Sequence, residues 1–469
     1  MGSIPKQRAR TAIRPPHRSI PGVPDEIAQR GDYLTREEAL RVLEVKPQTL
    51  YSYVSRGLIR SLPQPGARGS PRASFYLRED VEKVRSRSIA HAGHGPAAAG
   101  AMHWGEPVIA TRITELTEDG PRYRNRLAVD LALSGMPFEN IAEYLWTGEL
   151  QDDPIAWKTS TQPKRLAQLL ACAAKLHQRP HILQLMSMTV LGLGIAEGNR
   201  RDRIRAGETP IGAAQRLMRS LAWTLGYLAP VRSHWTQGDG LPLADWLARV
   251  FGIAASNANI AALNAALIVA ADHELNPATF TARVAASGSA DLHSCVGAAL
   301  DTHYGTLVGR TCDRVEQLFE PPAEPDAVVQ RAMARIAAAR SLPGFNHRQY
   351  PRGDPRAKLL MDLALVAGGS RGRMANMLDS LRRLESECGA VPSLECGLVF
   401  LCRALGLPDQ SAGGIYALAR TAGWVAHVLE QRLAGFVIRP RAKFTGLAQD
   451  ARFEAAFAPR TDSFPRKTK

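Results

Sequence analysis

From His103 onward, the sequence has the periodicity of α-helices and few signs of β-strands. Apolar residues, mostly Ala and Leu, recur at helical spacing, and Pro or Gly interrupts the pattern every ten to twenty residues. This spacing gives each helix one apolar face, so the pattern predicts a mostly all-α body. A chain of 469 residues is too long for one ordinary core, and its length predicts two or three domains.

A basic region precedes this helical body. Residues 1–90 contain 17 Lys and Arg against 9 Asp and Glu, an excess of +8 within a net charge of +15 for the whole chain. Charge concentrated in this way favours a polyanionic partner such as nucleic acid. Residues 1–30 contain Pro5, Pro15 and Pro16 without an apolar run, so we expect a disordered basic tail there.

Residues 31–90 have the pattern of two short helices followed by a β-hairpin. Thr35 to Glu38 match a capping box, and Pro47 separates the two helical segments. Residues 65–72 are rich in Gly, Pro and Arg, as in a hairpin wing, and the strand at 75–77 follows them. The unit resembles the winged helix-turn-helix domains of mercury-resistance regulators and excisionases, and this resemblance implies that it binds duplex DNA.

The resemblance places the DNA-contacting residues in the second helix and in the wing. The candidates are Lys46, Gln48, Thr49, Tyr51, Ser52, Tyr53 and Arg56 around the second helix, and Arg68 and Arg72 in the wing. The same fold can instead serve as a protein–protein or dimerisation module. Residues 91–104 are expected to form a linker of small residues before the helical body.

The cysteines and the apolar runs indicate the compartment. Six cysteines are scattered without a Cys-x-x-Cys pair, which argues against a zinc ribbon or a disulfide framework and favours a reducing cytoplasm. The most apolar run, 260–271, is too short to span a bilayer. We therefore expect a cytoplasmic protein with no membrane role, no metal site and no permanently bound cofactor.

Four segments of the helical body combine imidazole and guanidinium groups. Histidine can donate or accept a proton near neutral pH, and arginine binds a carboxylate through two parallel N–H groups. The segments are SLPGFNHRQYPRGDPR at 341–356 with His347 and Arg356, ADHELNPATFTAR at 271–283 with His273, ALARTAGW at 417–424 with Arg420, and IRPRAKFTG at 438–446 with Arg439.

These segments resemble the signatures of citrate synthases, which condense acetyl-CoA with oxaloacetate. The family patterns are PGFGHxxY…DPR, (A/S)DHxxNxSTFxxR, RTxGW and RPRxxYxG. The resemblance covers about 105–450 and implies the citrate synthase fold, a homodimer whose subunits have a large and a small helical domain. The small domain is then an insertion at roughly 310–410, and 451–469 form a C-terminal tail.

The resemblance also implies roles for the candidate residues. His273, Arg356, Arg420 and Arg439 would bind an oxaloacetate-like dicarboxylate, with Arg439 reaching the neighbouring subunit's site. His347 would polarise the ketone under attack, and acetyl-CoA or another acyl-CoA would be the co-substrate. Some of these arginines can instead be surface or interface charges.

Two catalytic positions depart from the family pattern. Citrate synthases carry a histidine in the loop GPLHGGANE that donates a hydrogen bond to the thioester oxygen, but here the loop reads GTLVGRTCD and Val308 occupies that position. Their aspartate base lies in PNVDFYSG, whereas this chain reads PSLECG, with Glu395 one methylene longer. Loss of one such donor costs about 10²–10³ in rate, so weakened or altered condensation is expected.

Three functions remain open from the sequence. The first is an enzyme that joins an acyl-CoA to a 2-oxo acid, with His303 or Arg310 as candidate replacements for the missing donor. In this case Arg310 can instead hold a CoA phosphate. The second is a non-catalytic regulator whose body senses oxaloacetate, citrate or CoA and controls DNA binding. The third is a structural partner of an active relative.

Overall fold

The computed structural model describes residues 33–43, 45–55, 58–63, 74–78, 80–82, 84–85, 109–158, 164–176, 180–197, 209–229, 240–321, 323–339, 341–367 and 371–440. The two predicted tails, the predicted linker and the candidate residues Arg56, Arg68 and Arg72 lie outside these residues. The chain divides into two compact units, Met1–Ala110 and Thr111–Lys469.

Among its described residues, the first unit contains two continuous helices, a small antiparallel sheet and further helical residues at 80–82 and 84–85, with a core of its own. Its elements are β1 (Tyr33–Leu34), α1 (Arg36–Leu43), α2 (Pro47–Ser55), β2 (Ser61–Pro63) and β3 (Ser74–Leu77). β3 pairs with both β1 and β2. Residues that include Leu34, Leu50 and Tyr76 form the core between the helices and the sheet.

The predicted capping box at the start of α1 is confirmed. The backbone N–H of Thr35 donates to a Glu38 carboxylate oxygen at 2.8 Å, and the backbone N–H of Glu38 donates to Thr35 Oγ1 at 3.3 Å. These two bonds satisfy donors that the first turn of a helix otherwise leaves unpaired, so they fix where α1 begins.

The second unit is helical around one large core, as the periodicity predicts. A short antiparallel sheet in the order β4-β5-β6 comes first, formed by β4 (Thr114–Thr117), β5 (Gly120–Tyr123) and β6 (Arg126–Leu127). The α-helices that follow are α3 (Ala128–Leu133), α4 (Phe138–Thr147), α5 (Lys164–Leu176), α6 (Ile182–Glu197), α7 (Pro210–Leu225), α8 (Leu243–Val250), α9 (Asn257–Ala270), α10 (Pro277–Ser287), α11 (Leu292–His303), α12 (Thr311–Leu318), α13 (Pro325–Ala339), α14 (Pro355–Ala367), α15 (Arg371–Cys388), α16 (Leu394–Ala404) and α17 (Ser411–Ala434).

The helix α17 lies at the centre of this unit, with α7, α9 and α10 packed against it. Two glycines let it come close to its neighbours. A Cβ atom on Gly414 would lie 2.4 Å from Cδ2 of Leu225, and one on Gly423 would lie 2.2 Å from Oδ1 of Asp272. Both distances are well inside van der Waals contact, so a larger side chain at either position would force the helices apart.

Two loops that carry candidate residues are hydrogen-bonded to each other. The backbone N–H of Asn346 donates to the carbonyl of Val391 at 2.8 Å, and the backbone N–H of Val391 donates to Asn346 Oδ1, also at 2.8 Å. The backbone N–H of Ser393 donates to the carbonyl of Gly344 at 2.9 Å. This pairing holds the loop of His347 beside the start of α16.

Among the helices in the described ranges, none combines the length and the apolar character that crossing a membrane requires.

Candidate active site

A buried chain of hydrogen bonds fixes the segment that carries His273. Arg283 donates to Nδ1 of His427 at 3.2 Å, which leaves Nε2 of His427 as the donor to Asp272, at 3.4 Å. Asp272 in turn accepts the backbone N–H of Glu274 at 3.1 Å. The Tyr123 hydroxyl accepts the backbone N–H of Asp272 at 3.2 Å. His273 therefore projects from a turn whose backbone is held on both sides.

The rings of His273, His347 and Tyr350 pack together. The ring centroids of His273 and His347 are 5.1 Å apart, and those of His347 and Tyr350 are 4.8 Å apart. The Tyr350 hydroxyl lies 3.2 Å from Nε2 of His273. The backbone N–H of Gln349 donates to Nδ1 of His347 at 3.3 Å, so Nε2 of a neutral His347 carries the proton and is free to donate.

Both imidazoles are neutral at ordinary pH. Burial lowers the pKa of His347 to about 4, and the charge of Arg356 adds to this effect. Burial and the same guanidinium hold the pKa of His273 well below its usual value. Neutral imidazoles donate hydrogen bonds without adding charge, which suits the polarisation of a carbonyl group.

Arg356 is buried and paired with Asp354. Its Nε and a terminal nitrogen donate to the two carboxylate oxygens of Asp354 at 2.9 and 2.8 Å. Asp354 also accepts the backbone N–H of Leu394 at 3.0 Å, which ties it to the first residue of α16. Burial alone would raise the pKa of Asp354, but the charge and hydrogen bonds of Arg356 lower it below its usual range. The pair therefore stays ionised.

Arg420 is the charged group at the middle of α17. It is fully buried, and one terminal nitrogen donates to the Tyr416 hydroxyl at 3.2 Å. Its Nε and its other terminal nitrogen have no hydrogen-bond partner among the described residues. A buried cation with two unused donors is costly to maintain, and an anionic ligand would satisfy both donors.

Glu395 lies in the first turn of α16. Burial raises its pKa, whereas the charges of Arg356 and Arg420 oppose the rise. No described side chain forms an ion pair with it. A carboxylate whose proton affinity is raised in this way is a stronger base than an exposed one.

The loop that precedes α12 carries Val308, which is half-buried and has no hydrogen-bonding side-chain atom. His303, at the end of α11, lies beneath this loop and is 1% exposed. A Cβ atom on Gly309 would lie 2.3 Å from its Nε2, so the loop backbone covers the ring. Arg310 donates from Nε to Asp313 at 2.8 Å, and its guanidinium lies 5.1 Å from the ring centroid of Tyr304.

Arg439 makes no described contact with the histidines and arginines above in the single chain. It is exposed on the segment after α17, and no described side chain pairs with it. The segment is attached nearby, because the backbone N–H of Ile438 donates to Oγ of Ser287 at 3.1 Å. The structure thus brings together His273, His347, Arg356, Arg420 and Glu395, but not Arg439.

Sequence reasoning did not find three residues of the cluster. Tyr350 bridges the two histidines, Asp354 neutralises Arg356, and Tyr416 contacts Arg420. Tyr350 and Asp354 lie in the segment 341–356, so their proximity in sequence was a usable signal. Tyr416 lies four residues before Arg420, and this spacing puts the two on one face of α17.

The cluster combines cationic donors with neutral imidazoles and with Glu395, a carboxyl that has no ion pair with a described residue. Arg356 is neutralised by Asp354, whereas the charge of Arg420 is not balanced by an ion pair with a described residue. The described residues contain no group of three or more His, Cys, Asp or Glu placed to hold a metal ion. The arrangement can bind a small anion, polarise a carbonyl and accept a proton.

The family model described as citrate synthase, C-terminal domain, matches residues 101–441. This match covers most of the chain, so the chain belongs to the citrate synthase family. The resemblance that the four sequence segments suggested is therefore confirmed at the level of the family.

Two individual relatives illustrate how similar the chain is to other members of the family. Citrate synthase 2 of Bacillus subtilis is 34% identical over 190 residues, which are 40% of this chain and 51% of that protein. The chain thus spans about half the length of this relative. A 2-methylcitrate synthase of Mycobacterium tuberculosis is 28% identical over 343 residues, which are 70% of this chain and 85% of that protein.

Solved structures confirm the predicted citrate synthase fold. The citrate synthase of Thermotoga maritima matches with a TM-score of 0.61 and 22% identity, over 74% of this chain and 95% of that one. A citrate synthase of Thermoplasma acidophilum, solved as a ternary complex with carboxymethyl coenzyme A and oxaloacetate, matches with a TM-score of 0.60 and 21% identity. That match covers 73% of this chain and 95% of the other.

The unpaired nitrogens of Arg420 lead to a testable prediction. Replacing Arg420 with Leu should lower the affinity for oxaloacetate by about 10²–10⁴-fold, because it removes two hydrogen bonds to a charged group that contribute about 1.5–3 kcal/mol each. Isothermal titration calorimetry measures this loss. The matched control is Arg352→Leu, which removes an exposed arginine of the 341–356 segment and should leave the affinity unchanged. Equal affinities in the Arg420→Leu variant and the wild type would contradict the prediction.

Proposed function

We propose that this protein condenses an acyl-CoA with oxaloacetate or a related 2-oxo acid. The observation that carries the proposal is the buried cluster in which Arg420 has two unpaired donors beside the neutral imidazoles of His273 and His347. Oxaloacetate has two carboxylates and a ketone, which are the groups that such a cluster would bind. The structure of a relative in complex with carboxymethyl coenzyme A and oxaloacetate supports this choice of substrates.

In the proposed reaction, His273, Arg356 and Arg420 hold the carboxylates of oxaloacetate. Nε2 of His347 donates to the ketone oxygen and makes the ketone carbon more electrophilic. Glu395 removes a proton from the carbon next to the thioester carbonyl, and the resulting enolate attacks the ketone. Hydrolysis of the thioester then releases free CoA.

The acyl donor can be acetyl-CoA or a larger acyl-CoA. One relative is named a 2-methylcitrate synthase, and 2-methylcitrate has one methyl group more than citrate, which corresponds to a three-carbon acyl group. Val308 and Glu395 alter the part of the site that activates this donor. We therefore propose that condensation with acetyl-CoA is slow or that another acyl-CoA is preferred.

The condensation is tested by release of thiol. With oxaloacetate and either acetyl-CoA or propionyl-CoA, we expect oxaloacetate-dependent thiol release below the median enzyme turnover of about 10 per second. Replacing Glu395 with Gln should lower it by roughly 10²–10⁴, because a general base contributes that much. The control Glu385→Gln changes an exposed carboxyl on α15 and should have no effect.

The outcome distinguishes the enzyme from a second candidate, a metabolite-sensing regulator. Oxaloacetate binding without thiol release from any acyl-CoA would contradict the enzyme and favour the regulator. One observation in the first unit favours the regulator. Lys46, Gln48 and Tyr51 are exposed at α2, whereas Leu50 on the same helix is buried in the core.

We propose that the first unit is a winged helix-turn-helix that binds duplex DNA through α2. Two helices against a three-stranded sheet, and the basic charge of 1–90, support this assignment. Lys46 and Gln48 then contact phosphates or base edges, together with Thr49 and Tyr51. The candidates Arg56, Arg68 and Arg72 belong to the same proposal, although they lie outside the described residues.

DNA binding is tested by fluorescence anisotropy with a labelled duplex at several salt concentrations. Lys46→Ala should weaken binding and reduce the slope of log affinity against log salt by about one, because it removes one phosphate contact. The control Lys358→Ala removes an exposed lysine from α14 and should change neither quantity. A wild-type protein that does not bind the duplex at low salt would contradict the proposal.

We also propose that the protein is a homodimer in which Arg439 completes the partner's site. Exposed Arg439 and an exposed apolar surface on α6 support this proposal. Leu191 and Ile195 are 63% and 66% exposed there, beside a groove between α6 and α11. Large apolar side chains on successive turns favour a covering partner.

If this surface forms the dimer interface, making it polar should lower the mass of the particle in solution. Leu191→Asp with Ile195→Glu should convert dimers to monomers at micromolar concentration, because the carboxylates would be desolvated at the interface. Sedimentation velocity measures the mass. The control Val366→Asp changes another exposed apolar residue, on α14, and should leave the dimer intact. A monomeric wild type would contradict the proposal.

A further inference from the structure

The proposed condensation needs a hydrogen-bond donor that Val308 does not supply. When a base removes a proton from the carbon beside a thioester, negative charge develops on the thioester oxygen. A donor placed at that oxygen typically contributes about 10²–10³ in rate. A donor must therefore come from another residue near the loop 305–310 if the protein is an enzyme.

His303 and Arg310 do not fit this role. The ring of His303 is covered by the backbone of Gly309, and the residue is 1% exposed. A substrate oxygen would have to displace the loop to reach either ring nitrogen. Arg310 donates its Nε–H to Asp313 at 2.8 Å. The described contacts of its guanidinium are with Asp313 and the ring of Tyr304, and none of them is with a residue of the cluster.

Tyr416 has a hydroxyl proton without an acceptor. Its oxygen accepts a hydrogen bond from Arg420 at 3.2 Å, and no described residue accepts the proton that the hydroxyl carries. A phenol oxygen can accept and donate at the same time. Tyr416 is 8% exposed, whereas His303 beside it is 1% exposed.

Tyr416 also lies near the loop of Val308. The ring of His303 packs edge-on against Tyr416, with centroids 4.9 Å apart, and against Trp424, with centroids 5.5 Å apart. The backbone of Gly309 covers the same ring. A Cβ atom on Gly413, one turn before Tyr416, would lie 3.9 Å from the carbonyl oxygen of Gly309. His303 therefore acts as a spacer between the loop and the tyrosine.

The charged groups around Tyr416 include residues that take part in the proposed reaction. The positive charges of Arg420 and Arg356 and the negative charge of Glu395 all act on its hydroxyl. Burial raises the pKa of Tyr416, so the phenol stays protonated at neutral pH. The guanidinium of Arg420 withdraws electron density from the phenol oxygen and makes its O–H a stronger donor.

We propose that the Tyr416 hydroxyl donates the hydrogen bond to the thioester oxygen while Glu395 removes the neighbouring carbon's proton. The carbon–hydrogen electron pair becomes the carbon–carbon π bond of an enolate, and the carbonyl π electrons move onto oxygen. The proton goes to the Glu395 carboxylate, and Tyr416 keeps its own proton while sharing it with that oxygen. This role rests on the proposed condensation and gives it the donor that Val308 lacks.

The test separates enolate formation from condensation. Malate has the carboxylates of oxaloacetate but no ketone to attack, so acetyl-CoA with malate can only form an enolate and revert. In heavy water each reversal adds deuterium to the acetyl group, and NMR measures the rate. Tyr416→Phe should lower this rate by about 10²–10³, the usual effect of one lost donor. The oxaloacetate affinity measured by calorimetry should change less than threefold.

A second substitution distinguishes donation from packing. Val308→His in the Tyr416→Phe background returns a donor to the loop. The exchange rate of this double variant should be at least tenfold higher than that of Tyr416→Phe. The matched control is Tyr144→Phe, which removes a buried hydroxyl bonded to Asn125 at 2.6 Å, away from the cluster. That control should exchange at the wild-type rate.

The outcomes decide between the two proposals. Exchange that is unchanged by Tyr416→Phe overturns the role of Tyr416 and leaves the condensation standing. A loss that Val308→His does not restore, or an equal loss of oxaloacetate affinity, shows that Tyr416 only supports Arg420 and also overturns the role. Neither exchange nor thiol release in the wild type overturns both.

Discussion

The second unit is organised around a guanidinium that is shielded from solvent. Arg420 is fully buried at the middle of α17, and removing an ion of this size from water costs several kcal/mol unless its hydrogen bonds are replaced. One of its donors is satisfied by Tyr416, and two have no partner among the described residues. The fold tolerates this because packing holds α17 in place. The stability of the helical body thus maintains two cationic donors that the described residues leave unpaired.

The close contacts of α17 connect this charge to the rest of the cluster. Gly423 brings the helix against Asp272, whose backbone leads directly to His273. His427, one turn further along α17, hydrogen-bonds to the same aspartate and to Arg283 on α10. The position of Arg420 and the position of His273 are therefore set by the same contact, and a shift of α17 would move both.

A second connection joins the loop of His347 to the start of α16. Asp354 binds Arg356 through both carboxylate oxygens and also accepts the backbone N–H of Leu394, next to Glu395. The pairing of Asn346 with Val391 closes the same connection from the other side. Glu395 and His347, the proposed proton acceptor and carbonyl-polarising group, are thus held by one network. This matters for the proposal because small displacements between reacting groups are costly in rate.

The sequence by itself determined the helical body, the family and five of the clustered residues. These follow from local patterns, since helical periodicity and short motifs such as those around His273 and His347 are written in adjacent residues. It also identified Val308 as a valine where the family has a donor. Only the tertiary structure decided which of these side chains are already paired or covered and which can still bind a ligand. Asp354 neutralises Arg356, the backbone of Gly309 covers the ring of His303, and no described residue accepts the hydroxyl proton of Tyr416. These properties depend on contacts, including some between segments that are distant in the chain. Burial and hydrogen bonding set the charge and proton of a side chain, and neither can be read from residue type alone.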